Sequence, residues 1–113
     1  MSNLFDRVVR CPCCDAKPEN TTFLRDAIDA MDAIPGAVIT SGFRCSYQNE
    51  RIGGHPKSMH VQGLAVDVSF EDSNSRWRIL RWAFENDYSI GWYSRHIHID
   101  DRPSTSKAFV GSY

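Results

Sequence analysis

Two stretches of the chain carry side chains whose types and spacing suit metal chemistry. Ser58-Met-His60-Val-Gln-Gly63-Leu-Ala65-Val-Asp67 puts an imidazole at the end of a Gly-bounded loop and a carboxylate seven positions later. A carboxylate on a buried strand is costly unless it is paired or holds a metal. In His96-Ile97-His98-Ile99-Asp100, an extended chain places His96, His98 and Asp100 on one face and both isoleucines on the other. If that row meets the His60 and Asp67 side of one sheet, two imidazoles and a carboxylate converge. Such a set suits tetrahedral zinc with one position left for water. The residues alone leave a blander reading open, in which these groups form a hydrogen-bonded His–Asp pair, a pH-sensitive surface patch or satisfied core histidines.

The four cysteines, Cys11, Cys13, Cys14 and Cys45, also admit two readings. One is a small thiolate metal site made by the first three with Cys45. The other is a loop of unpaired thiols with one bridge to Cys45. Zinc knuckles use C-x2-C spacing, which only Cys11 and Cys14 satisfy.

These groups need elements to position them. Thr21-Thr22 offers N-cap hydroxyls before an apolar stripe of Phe23, Ala27, Ile28, Met31 and Ile34, and Pro35-Gly36 stops it, predicting a helix over 21–34. Ala37 to Thr40 is β-branched and reads as a strand. The segment from Ser41 to His60 reads as a long irregular loop, the kind of segment that tends to carry function. Leu64 to Phe70 alternates as a strand, with Asp67 opposite the apolar residues. A second helix follows over 74–86, with Trp77, Leu80, Ala83 and Phe84 expected inward and Asp72, Ser73 and Asn74 as cap candidates. Strands over 88–93 and 96–100 close the fold, and a polar tail beyond Pro103 is expected to fray unless Phe109 and Val110 dock. The sum is a small α+β domain with a mainly antiparallel sheet and two principal helices.

The length of 113 residues suits one domain over 1–113 with a real core. Thirteen basic and fourteen acidic residues give a net charge of -1, so no broad positive field supports nucleic-acid or anionic-membrane binding. No apolar run reaches the length of a membrane span. Asp6, Arg7 and Arg10 interrupt any signal-peptide core, which predicts synthesis in a cytoplasm and export by another route.

The pattern Ser-x-His-x2-Gly-x-Ala-x-Asp at 58–67, followed by His96-x-His98, resembles the zinc D-alanyl-D-alanine metallopeptidases. These share a superfamily with lysostaphin-type peptidases and the hedgehog signalling domain. Ser41-Gly42-Phe43-Arg44, Asn49, Gly53-Gly54 and Ile90-Gly91-Trp92-Tyr93 extend the resemblance to a compact, phage-type subgroup over about residues 22–101. Such short cell-wall peptidases often open with cysteines, as this chain does. The resemblance implies that His60, Asp67 and His98 bind Zn2+ and that Arg44 faces the substrate and steadies its oxyanion. It also implies that Ser58 lines the substrate side and that His96 helps stabilise the tetrahedral intermediate. Asn49 and Gly53-Gly54 are implied to be architectural.

One departure concerns the proton acceptor. Members place an acid three positions before the third ligand, or six in the hedgehog-like arrangement; here those positions are Arg95 and Trp92. Zinc brings the pKa of its water to about 7, and a positioned base adds roughly 10²- to 10⁴-fold. His96 is expected to take that role, with Asp100, Glu71, Asp72 or Asp101 as alternatives, or else activity is low. The implied function is hydrolysis of peptidoglycan stem peptides or cross-links, of D,D-carboxypeptidase or endopeptidase type, by a monomeric phage lysis or virion-associated enzyme. That enzyme would act at the bacterial cell wall, without nucleic-acid partners or membrane insertion. Two alternatives remain: a non-catalytic zinc module of the same fold, and a Cys knuckle in a nucleic-acid-binding protein, which the net charge disfavours.

Overall fold

A computed structural model describes residues 4–102 and the backbone of one further strand. Its elements are α1 (Leu4–Val9), α2 (Thr22–Asp32), β1 (Ala37–Ser41), α3 (Ser46–Arg51), a 3₁₀ turn (Met59–Gln62), β2 (Ala65–Phe70), α4 (Ser73–Glu85), β3 (Ser89–Trp92), β4 (His96–Asp100) and β5 (Ala108–Val110). The sheet order is β1-β2-β4-β3-β5. The first four strands pair antiparallel, and β5 pairs parallel with β3. This is the α+β class the periodicities predict. The expected fraying of the tail concerns 103–107 and 111–113, which lie outside the described residues.

The alternation in β2 and β4 divides the sheet into two unlike faces. Val66 pairs with Ile99 and Val68 with Ile97, and all four are fully buried. They join Leu24 and Met31 of α2 and Ile79 and Ala83 of α4 in one core cluster. Burying each such aliphatic side chain is worth about 1.5–3 kcal/mol, so this face holds the domain together. On the opposite face Ala65 pairs with Asp100, Asp67 with His98, and Ser69 with His96.

Several elements differ from expectation for local reasons. Helix α1 carries no sequence signal of its own, yet Val8 and Val9 are buried and the Val8 carbonyl accepts the Phe43 N–H at 2.8 Å. At the start of α2, neither Thr21 nor Thr22 supplies the cap; Asn20 Oδ1 accepts the Thr22 N–H at 2.9 Å. The loop expected over 41–60 contains α3 and most of its backbone turns close on themselves. Helix α4 keeps Ala83 buried and Leu80 packed against the core as expected, but it is rotated so that Ser75 and Ile79 also face inward, while Trp77 is 63% and Phe84 74% exposed. The cap sets that rotation. Asp72 Oδ1 accepts the Ser75 N–H at 2.8 Å, and Ser75 Oγ accepts the Asp72 and Glu71 N–H groups, which seats Ser75 against the sheet.

Candidate metal centre

Asp67 and His98 are direct cross-strand partners, so their Cβ atoms start about 4.5–5.5 Å apart on one face. On the other side of β4, His98 pairs with Gly91, which brings no side chain to that face. A register shift in β1 between Ile39 and Ser41 leaves Ser41 opposite Asp67 and turns the chain toward the site, as bulges beside functional sites do. His60 arrives from the 3₁₀ turn, whose N-cap is Ser58; Ser58 Oγ accepts the His60 N–H at 3.2 Å.

The ring atoms then converge on one carboxylate oxygen. Asp67 Oδ1 lies 2.9 Å from His98 Nδ1 and 3.4 Å from His60 Nε2. One ligand atom from each of the three residues lies within 4.8 Å of the others, and the imidazole centroids are 5.2 Å apart. Outer contacts fix both tautomers. His60 Nδ1 is 2.8 Å from the Gly42 carbonyl oxygen, which only accepts, so Nδ1 carries the hydrogen and Nε2 presents its lone pair. His98 Nε2 donates to Asp100 Oδ2 at 2.7 Å, which leaves Nδ1 for the site. Asp100 is fully buried and is held in turn by Arg102, through Nε at 2.8 Å and Nη2 at 2.6 Å.

This arrangement places a lone pair of His60 against a carboxylate oxygen, two acceptors facing each other at 3.4 Å. A cation between them resolves the conflict. Ligands about 2.0–2.1 Å from a tetrahedral zinc stand about 3.3 Å apart, close to the 2.9 and 3.4 Å seen here. The donor set of two imidazoles and one carboxylate is that of an open, catalytic zinc site. Charge agrees. Burial works against ionisation of Asp67, but its interactions with the His60 and His98 imidazoles outweigh that and hold it well below the usual carboxylate range. Burial likewise pushes His98 down, and Asp100 and Asp67 overcome it and raise His98 to about 9. The site attracts positive charge.

The chain matches the family described as Peptidase M15 over residues 5–100. It belongs to the peptidase M15 family. Searches of curated proteins and of solved structures find no match. M15 peptidases are zinc-dependent metallopeptidases, and His60, Asp67 and His98 of this M15 peptidase form a group able to hold that ion.

The other residues singled out in the sequence lie around this group at different distances. Arg44 is half-buried; its Nε donates to Asn49 Oδ1 at 2.9 Å and its Nη1 to Ser41 Oγ at 3.2 Å. Burial lowers its pKa, and the charge of Asp67 partly offsets this. Asn49 is buried and also donates to the His55 carbonyl at 2.7 Å; a Cβ on Gly54 would meet its Oδ1 at 2.1 Å. Asn49 and Gly54 therefore lock the loop that leads to His60. Ser58 and His98 line a cavity of about 410 Å³ with His55, Lys57, Met59, Tyr93 and Arg102. His96 shares the face of His98 but stacks on Tyr93, with centroids 4.6 Å apart, outside the three-residue group. Arg95 and Trp92 are both exposed.

Two further groups contribute to the site without a signal in the side-chain pattern. The Gly42 carbonyl is invisible in a side-chain pattern, although Ser41-Gly42 was part of the motif. Arg102 follows Asp100 by two residues and reads as a surface charge until the fold buries Asp100.

Proposed function

We propose that this M15 peptidase hydrolyses peptide bonds in bacterial peptidoglycan stem peptides or cross-links, as a D,D-carboxypeptidase or endopeptidase acting at the cell wall in phage lysis. The observation that carries the reading is the convergence of His60 Nε2, Asp67 Oδ1 and His98 Nδ1, with the outer nitrogens of both imidazoles already satisfied. Zinc held there supplies Lewis-acid polarisation of the scissile carbonyl and acidifies water. Arg44 presents the guanidinium donors not used by Asn49 and Ser41 to the developing oxyanion. Ser58 binds substrate at the rim of the cavity. Lys57, which also lines it, favours a carboxylate-bearing peptide such as a stem peptide. His96, on the same face of β4 as His98, accepts the proton; Asp100 is committed to His98 and Arg102, and Asp72 caps α4. The chain works as a monomer, without nucleic acid or membrane insertion.

Arg95 and Trp92 favour a second reading, a zinc module that binds a partner without turnover. Digestion of purified peptidoglycan, followed by release of muropeptide products, separates the two. The expected result is cleavage that His98→Ala abolishes. Zinc bound at His60, Asp67 and His98 with no cleavage at any pH supports the binder, and full activity of His98→Ala refutes both.

A further inference from the structure

A second set of metal-capable atoms lies away from the His–Asp group. Cys11, Cys13 and Cys14 come from the loop after α1, and Cys45 from the turn before α3. Their four sulfurs lie within 4.8 Å of one another. Cys13 Sγ is 3.6 Å from both Cys11 Sγ and Cys45 Sγ. Four sulfurs about 2.3 Å from a tetrahedral zinc stand about 3.8 Å apart, so two edges of that tetrahedron are already close to size. A disulfide needs about 2.0 Å, and all four thiols are free.

Packing does not account for this convergence. Cys13 and Cys14 are exposed, so no gain in apolar burial draws them to Cys45. The backbone instead serves the sulfurs. The Cys45 N–H donates to Cys11 Sγ at 3.3 Å, and the Gln48 N–H to Cys45 Sγ at 3.4 Å. The loop is closed by Cys11 N–H to the Ala16 carbonyl at 2.9 Å, which turns all three of its cysteines toward one point.

We propose that Cys11, Cys13, Cys14 and Cys45 bind a second zinc ion as a closed tetrathiolate site. Four protein ligands leave no open position, so this ion is structural. Its place in the chain gives it a purpose. Cys45 follows Arg44 directly, and Gly42, whose carbonyl orients His60, lies three residues earlier. The second ion staples the loop after α1 to the segment that aims both groups. C-x2-C spacing describes only one pair of these ligands, which is why spacing alone understated the site.

The inference stands apart from the catalytic reading, because each ion is removed by its own variants. Protein purified under reducing conditions is expected to contain two zinc ions per chain by elemental analysis. The double variant His60→Ala/His98→Ala keeps one, and on cobalt exchange it retains the thiolate-to-cobalt charge-transfer absorbance. Cys13→Ser/Cys14→Ser loses that absorbance and one ion. Should that variant fail to fold, an organomercurial added to the unaltered protein must release one zinc equivalent, read with a metallochromic dye. A single zinc that disappears in the histidine variant, no thiolate absorbance, or a disulfide among these cysteines in the reduced, zinc-loaded protein overturns the proposal.

Discussion

Replacing Asp100 by Asn isolates the contribution of a carboxylate that touches His98 but not the metal position. Asp100 Oδ2 accepts from His98 Nε2 at 2.7 Å, and Arg102 holds both carboxylate oxygens. The amide keeps the volume and loses the charge. His98 stands at about 9 against an ordinary 6.5, with Asp100 and Asp67 overcoming burial to place it there. That difference is worth about 3 kcal/mol of preference for a positively charged ring. Asp100 and Asp67 supply that preference together against burial, so removing the Asp100 charge takes away a share of it. Loss of an outer partner of a metal-bound imidazole usually costs about 10–100-fold in metal affinity. A competitive chelator titration, read on the zinc equivalent that His60→Ala removes, should show Kd rising by about 10–100-fold. In the chelated protein, NMR titration should show His98 falling from about 9 toward 6.5. Both quantities staying at their wild-type values would refute the claim that Asp100 tunes this histidine. The unfolding midpoint separates such tuning from general loss of structure.

The chelated protein should lose stability as pH rises through the His98 transition. Its pKa is raised in the folded state, so the stabilisation is complete below 6.5 and gone above about 9, at most about 3 kcal/mol. Urea unfolding of wild type and His98→Gln across that window isolates the histidine from the titrating thiols; parallel curves rule it out. Gly42→Ala should destabilise by about 2–3 kcal/mol and also weaken zinc binding, because its Cβ would lie 2.2 Å from the Val8 carbonyl oxygen. Unfolding and chelator titrations that match wild type would show that α1 does not brace the His60 carbonyl partner.

The elements of period two were legible, and their meeting was not. Leu64 to Phe70 and His96 to Asp100 each announce a strand with one apolar face, and both appear there, the first beginning one residue later at Ala65. That Asp67 faces His98 depends on a register between segments 31 residues apart, which no local pattern encodes. Helix α4 shows the opposite failure. Hydrophobicity favours Trp77 and Phe84 for the core, but the bond between Asp72 and Ser75 turns Ser75, Ile79 and Ala83 inward instead. Helix α1 has six residues and little periodicity to detect; tertiary contact through Val8 and Val9 makes it. Cys45 is separated from its three partners by a helix and a strand, so no sequence spacing fixes where its sulfur meets theirs.

The two faces of the sheet are stabilised by different physics, and this bears on how a small peptidase keeps a site rigid. The α2–α4 side relies on aliphatic burial, which tolerates volume-conserving change. The other side exposes charge and cannot be clamped that way. It is tied by directed bonds: Gly42 carbonyl to His60, Arg44 to Asn49, Asn49 to the His55 carbonyl, Arg102 to Asp100. Each such bond is worth only about 0.5–1.5 kcal/mol net, but a buried partner left unmatched costs more. Geometry on this face is therefore defended by the penalty for breaking it rather than by the gain from making it. Three of these ties converge on the stretch from Gly42 to Asn49, the same stretch that α1 backs through Val8 and that Cys45 connects to the N-terminal loop. The thiolate-bound ion proposed above would brace that stretch from its far side, where directed bonds alone hold it.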